Sequence, residues 1–361
     1  MSVPSSESAI VLTNGTFREI HAKTAHGLIR GPSRYRILAV IDSTCAGRDA
    51  GELLDGQPRG IAVLASVEDA LRTLVERPAA CIVGVATKGG VIPSDLHGDL
   101  VAAARAGLTI VNGLHHLVGD DEEIARLARA SGARILDIRR PRPIRELRFW
   151  TGEVLSVPAL RVSVLGTDCA LGKRTTCNLL EQALGRLQIR ASVVYTGQTG
   201  WLQGREHGFM LDATPNDFVP GELERAILDC WREERPDVIL LEGQSGLRNP
   251  SGPCGAELLL SAGTHGVVLQ HAPARRWFKG LERLQIPLPR LEDEIELVRR
   301  YGADVWAVAL NDDGLERAEA ERVRASLEHE LEVPVVLPLG GGVDRVASRI
   351  ATALSRTETG R

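Results

Sequence analysis

The feature that most constrains this chain is an alternation, run through twice, of short aliphatic segments with helical patterns. In the first half the aliphatic runs are RILAVID (36–42), GIAVLA (60–65), ACIVGVA (80–86), LTIVNG (108–113) and ARILDIR (133–139). Between them, SVEDALRTLVE opens on Ser66 as an N-cap, with Glu68 and Asp69 in its first turn. A second helix is expected over 94–106, and DDEEIARLARASG closes a third at Gly132. Strands that alternate with helices predict a parallel sheet with right-handed crossovers. Residues 1–30 read as a polar, irregular segment, and the first α/β domain is expected over 31–150.

RRPRPIRELRFWTGEV (139–154) interrupts the pattern, because its prolines forbid helix continuation. This arginine-rich stretch reads as the domain linker, either a solvated basic connector or an anion contact. The second domain, 151–361, restarts the alternation with RVSVLG (161–166), ASVVYTG (191–197), DVILLEG (237–243), GTHGVVLQH (263–271), ADVWAVALN (303–311) and VPVVLPLG (333–340). Helices are expected from about 173 to 187 and from about 221 to 234. Aromatics are only 4% while glycine numbers 37, a mixture that suits aliphatic strands joined by glycine turns better than an all-β sandwich.

Charge and cysteine usage exclude several functions. A net charge of −4 provides no global field toward nucleic acid or a membrane surface. No apolar run approaches the length of a bilayer span, and the first residues lack the pattern of a secretory signal. Six scattered cysteines without a CxxC pair fit a reduced, cytoplasmic compartment.

The strongest chemical signal is VSVLGTDCALGKRTTCNLL. An aliphatic strand runs into Gly166, the loop Thr167, Asp168, Cys169, Ala170, Leu171 reaches Gly172-Lys173, and Arg174, Thr175 and Thr176 open a helix. Phosphates need this arrangement: glycines let backbone N–H groups wrap the anion, the helix N-terminus adds positive potential, and a lysine reaches the oxygens. The usual pattern has four residues between the glycines and a hydroxyl directly after the lysine. Here five residues intervene and Arg174 follows the lysine, so which threonine would meet a metal, if one binds, stays open.

Other candidates also follow strands. DVILLEGQSGLRNPSG delivers Glu242 at a strand's carboxyl end, where open α/β sheets place ligands. A carboxylate there can order Mg²⁺ through water, act as a base, or merely cap a turn. Gln244, Ser245, Arg248 and Asn249 follow at once. VVYTGQTGWLQG offers Thr196, Gln198 and Thr199, and VLQHAPARRWFKG offers His271, Arg275, Arg276 and Lys279, cations suited to a carboxylate or phosphate. Those cations equally suit a solvated helix start. Asn311 ends a late strand, a position from which a purine edge can be read. In the first domain Asp42, Ser43, Asp49, Glu52, Lys88, His115 and His116 fall at strand ends and define a candidate rim. GVATKGG has an anion cradle's small residues, but no GxGxxG fingerprint is present.

Taken together, GTDCALGKRTT, TGQTG, LLEGQSGLRNP, VIDSTCAGRDAGE, GVATKGG, NGLHH and DIRRP resemble an uncharacterised-domain family of two-domain proteins, from about Lys23 to Val346. That resemblance implies a Rossmann-like first half and a P-loop second half. The second half is also similar to dethiobiotin synthetase, from which Arg174 departs. Members of the two-domain family have been associated with D-glutamate N-acetyltransferase activity using acetyl-CoA. The resemblance therefore implies an acyltransferase acting on a small acidic amino acid. Lys173 and the 166–176 backbone would then hold phosphates, and Glu242 would be base or orienting carboxylate. Substrate carboxylates would lie against some of Arg248, Arg275, Arg276 and Lys279. Two other readings stay open: an ATP- and Mg²⁺-dependent ligase or kinase of the dethiobiotin synthetase type, and a nucleotide-binding regulatory protein without turnover. A homo-oligomer is expected, as for many α/β enzymes.

Overall fold

The computed structural model describes residues 7–359, and the chain divides into two compact units. The first comprises the residues up to Arg142 together with Gln198–Glu206; the second comprises Pro143–Gly197 and the chain from His207 onward.

The first unit runs β1 (Ser8–Leu12), α1 (Lys23–Arg30), β2 (Arg36–Ile41), α2 (Ala50–Asp55), β3 (Ala62–Leu64), α3 (Val67–Thr73), β4 (Ala80–Val83), α4 (Ser94–Arg105), β5 (Thr109–Asn112), α5 (Glu122–Ser131) and β6 (Ile135–Asp137). Its six strands are parallel, in the order β3-β2-β1-β4-β5-β6. This is the order of a doubly wound dinucleotide-type sheet, whose direction of growth reverses at β1. Local chemistry sets the helix ends. Ser66 accepts from Asp69 N to start α3, and Gly132 closes α5 in the left-handed region.

The structure corrects the reading of residues 1–30 as irregular. Ser8–Leu12 is a central strand, buried along its whole length between β2 and β4. A strand covered on both faces shows no alternation. Four apolar residues after a serine, among polar neighbours, therefore give no periodic signal. Residues 1–6 of that predicted segment lie outside the described residues.

The segment Gln198–Glu206 is part of this unit's core. Leu202 is fully buried in the same apolar layer as Phe17 and Leu28. Gln203 donates to Gly27 O at 2.9 Å, and the Arg34 guanidinium lies 4.6 Å over the Trp201 ring.

The second unit runs β7 (Leu160–Gly166), α6 (Lys173–Arg186) and β8 (Ala191–Val194). α7 (Gln198–Leu202) follows in the segment just described. Then come α8 (Val219–Glu234), β9 (Val238–Glu242), α9 (Ala256–Leu260), β10 (Gly266–His271), α10 (Leu291–Arg300), β11 (Val305–Leu310), α11 (Arg317–Leu331), β12 (Val335–Val336) and α12 (Asp344–Thr359). The strands are again parallel, in the order β12-β11-β10-β7-β9-β8. β7 and β9 are buried throughout, with separate apolar layers packed above and below the sheet. β7 lies centrally between β9 and β10, so its carboxyl end opens at the switch point where such sheets bind ligands.

The second half of the arginine-rich connector is anchored to α8 through its backbone. The N–H groups of Arg148, Thr151 and Val154 donate to the buried carboxylates of Glu222 and Glu224 on α8. Upstream, Arg140 pairs with Asp120 and Asp137. Among the described residues no helix is long and apolar enough to cross a membrane, and no disulfide joins the cysteines.

Candidate phosphate-binding site

The loop between β7 and α6 forms because an apolar strand ends at Gly166 and the chain must turn sharply into a helix beginning at Lys173. Gly172 makes that turn at φ +101°, which side chains rarely adopt. A second loop, following β9, closes directly on the first. A Cβ at Gly246 would come within 2.8 Å of the Gly166 and Thr167 main chain. Two non-glycine residues at this junction, Ala170 and Ser245, hold positive φ values of 51° and 44°. Strain of this kind persists where surrounding structure enforces it and concentrates at functional sites.

Lys173 occupies the centre. Its Nζ donates to Asp168 O and Ser245 O, both at 2.7 Å, tying the two loops together. Burial pulls its pKa down to about 8, against the opposing charges of Asp168 and Glu242 and the thiols Cys169 and Cys254. A lysine this deeply placed at a helix N-terminus carries a positive charge that lacks water and would be offset by an anion.

Asp168 is fully buried and points into the protein. Its carboxylate accepts from Asn249 Nδ2 at 2.9 Å, Arg275 at 2.8 Å and Lys279 N at 2.8 Å, and Arg275 also donates to Cys169 O. One carboxylate thus fastens the loops after β9 and β10 to the phosphate loop. Thr167 Oγ1 lies 3.1 Å from His271 Nδ1. Burial lowers the His271 pKa to about 4, so the ring is neutral and its Nδ1 can accept the hydroxyl proton. Asn311 donates to Leu171 O at 3.3 Å, bracing the loop from β11. Gln270 donates to the buried Thr176 hydroxyl, whereas Thr175 is exposed on the helix's first turn and Arg174 is partly exposed.

The remaining sequence candidates divide clearly. Glu242 is buried at the end of β9; its main-chain carbonyl accepts from Thr196 Oγ1 at 2.8 Å, and Gln244 donates to Thr196 O. Arg248 is paired with the buried Glu294, and Arg276 is exposed and stacks on Trp277. Gln198 and Thr199 lie in α7, which is grouped with the first unit. In the first unit, Asp49 caps α2 and Glu52 pairs with Arg48, so both have structural work. Asp42 is saturated by Thr13, Phe17 and Thr44. Ser43, His115 and His116 are exposed, and the Lys88 side chain lies outside the described residues. Sequence reasoning missed Gln270 and Glu294 because the groups they hold come from distant segments.

The neutral His271 gives a testable pH dependence. Its folded pKa lies below the ordinary 6.5, so the folded chain binds fewer protons than the unfolded one between about pH 6.5 and pH 4. Stability carried by this group is present above that window and is lost as pH falls through it. Thermal melts at pH 7 and pH 5 are expected to show wild type losing more than His271→Gln, whose amide can also accept from Thr167. Equal losses would remove the assignment of a buried neutral ring.

A doubly wound sheet in one unit and a lysine-containing phosphate loop in the other define a two-domain α/β protein of the P-loop class. The chain belongs to the DUF1611 family: residues 43–141 match its Rossmann-like N-terminal domain and residues 148–347 its P-loop domain, both described as domains of unknown function. A DUF1611 family protein from Anabaena variabilis has a crystal structure that superposes with a TM-score of 0.86 at 29% identity, covering 96% of this chain and 99% of that one. Two relatives carry the name D-glutamate N-acetyltransferase. The one from Tritonibacter scottomollicae is 29% identical over 77% of this chain and 84% of its own. The one from a Pseudoalteromonas species is 29% identical over 74% and 80%.

Proposed function

We propose that this protein is an N-acetyltransferase that uses acetyl-CoA to acetylate the amino group of a small acidic amino acid, D-glutamate. The observation that carries the reading is the buried Lys173 ammonium, set in a glycine-bounded loop at a helix N-terminus, with Glu242 at the end of the adjacent strand. The names of the two relatives support the same activity.

The residues fit coenzyme A's phosphate groups. The loop offers main-chain N–H groups, Gly172 leaves room for close approach, and Lys173 supplies a desolvated cation. Acetyl-CoA when bound supplies an acyl group activated as a thioester. The chain's own tasks are then to hold the phosphates, orient the amino acid and remove a proton from its amine. Lys173 and the 166–176 backbone perform the first. Glu242 performs the last, as a carboxylate base or by orienting the amine. Arg275 is committed to Asp168 and Arg248 to Glu294, so each acts first as a brace for the loops. Arg174 stands where an ATP-hydrolysing loop carries its metal-binding hydroxyl, and the Thr176 hydroxyl is engaged by Gln270. Both observations favour coenzyme A over ATP with Mg²⁺.

Calorimetric titration with acetyl-CoA and, separately, with ATP and Mg²⁺ tests the reading, followed by an assay of free thiol release with D- and L-glutamate. The expected result is acetyl-CoA binding without Mg²⁺ and thiol release with D-glutamate. Binding of ATP with Mg²⁺ alone would move the protein to the ligase or kinase class. Nucleotide binding with no turnover on any acidic amino acid would make it a regulatory protein.

A further inference from the structure

A second cluster of chemically capable side chains lies in the P-loop unit, away from the phosphate loop. His207, Cys230 and Glu234 each bring one donor atom to a common point, all within 4.8 Å of one another. Cys230 and Glu234 sit four residues apart on α8 and so share one helix face. His207 comes from the segment after β8, at the position where the chain returns to this unit. Its backbone carbonyl accepts from Tyr195 N at 3.1 Å, which anchors the main chain of residue 207 beside the end of β8. Ser192, which bonds Glu234, lies on β8, the edge strand of the sheet, so the cluster sits beside that edge strand, two strands from β7 and its phosphate loop.

The surroundings suit a cation. His207 Nε2 is 2.9 Å from Glu234 Oε1 and 3.9 Å from Glu233 Oε2, and Asp229 lies close enough to add its charge. Ser192 Oγ on β8 donates to the other Glu234 oxygen, the kind of outer hydrogen bond that aims a ligating carboxylate. His207 and Cys230 are buried, whereas Glu234 is 44% exposed. Ser192 and Glu234 also line an open depression with Glu181 and Arg190, which provides an entry path. Burial and the nearby carboxylates push the Cys230 thiol up to about 12, a cost that a divalent cation would reverse by stabilising the thiolate.

We propose that His207, Cys230 and Glu234 form a binding site for a thiophilic divalent cation of the zinc class, with Glu233 or water as the fourth ligand. One imidazole nitrogen, one thiolate and one carboxylate match the donor set that tetrahedral zinc accepts, and they do not match the all-oxygen shells of Mg²⁺ or Ca²⁺. The ion would tie the returning chain to α8 and thereby fix the end of the Gln198–Glu206 segment.

The test titrates chelator-treated full-length protein with Co²⁺ as a spectroscopic probe and then with Zn²⁺. The expected result is one Co²⁺ per chain, with a thiolate-to-metal charge-transfer band and the intense visible bands of tetrahedral cobalt, all displaced by stoichiometric Zn²⁺. Cys230→Ser should lose the charge-transfer band. Ser192→Ala should keep that band but bind about 10- to 100-fold more weakly. A wild-type spectrum without the thiolate band, or a band that persists in Cys230→Ser, overturns the proposal. Should Cys230→Ser fail to fold by circular dichroism, Glu234→Gln at the surface decides: weaker Co²⁺ binding with the thiolate band retained supports the site, and unchanged affinity overturns it.

Discussion

Replacing Lys173 by alanine is expected to weaken acetyl-CoA binding by about 10- to 150-fold, the range that corresponds to losing a charged hydrogen bond of about 1.5–3 kcal/mol. The signature that separates this from general damage is its pH dependence. Burial holds the Lys173 pKa at about 8, below its ordinary 10.5. As pH rises through 8 the free protein loses the ammonium that an anion needs, and affinity should fall by up to about tenfold per pH unit. Stability of the unliganded chain should move the opposite way. Between about pH 8 and pH 10.5 the unfolded lysine still holds its proton while the folded one does not, so the penalty for a buried charge is relieved and stability rises. Calorimetry and denaturant melts across that window should therefore diverge in wild type, and both slopes should flatten in Lys173→Ala. Wild-type affinity in the variant would mean that the loop holds no phosphate through this lysine.

The second large effect concerns Glu242. Glu242→Gln keeps the side chain's shape and leaves the Thr196 bond to the residue 242 carbonyl in place, because that bond uses the main chain. If the carboxylate takes the amine proton, kcat should fall by about 10²- to 10⁴-fold, with KM for acetyl-CoA little changed. The pH dependence that a titrating base imposes on turnover should disappear as well. An orienting carboxylate predicts a smaller loss of kcat and a raised KM for the amino acid. Unchanged turnover and an unchanged pH profile would remove Glu242 from the chemistry altogether.

How much of this was legible in the sequence depends on how local the cause is. The phosphate loop could be read directly, because strand, glycine, lysine and helix follow one another within a single stretch of chain. Helix caps such as Ser66 and Gly132 were legible for the same reason. β1 was not, because a short strand buried on both faces lacks the alternation that distinguishes strands from chance apolar runs. The interior of the site was also hidden. Asp168 meets Asn249 across 81 residues of sequence and Arg275 across 107, and no spacing rule connects such positions. Read alone, Arg248 and Arg275 look like free cations for a substrate; the fold commits each to a buried carboxylate first. Gln198 and Thr199 follow a strand, and no spacing rule shows that the helix they open is grouped with the first unit, in whose core its Leu202 is buried.

That excursion has a genetic consequence. A family boundary drawn near residue 143 suggests two genes fused end to end, each separable by one cut. Because Leu202, Trp201 and Gln203 complete the core and hydrogen bonding of the first unit, the chain is instead interleaved, with three covalent crossings in place of one. A fragment ending at Arg142 would lack part of its own interior, and the complementary fragment would carry an apolar loop with nowhere to bury it. Recombination, circular permutation or domain exchange between relatives can therefore conserve both units only if the 198–206 loop travels with the half that encloses it.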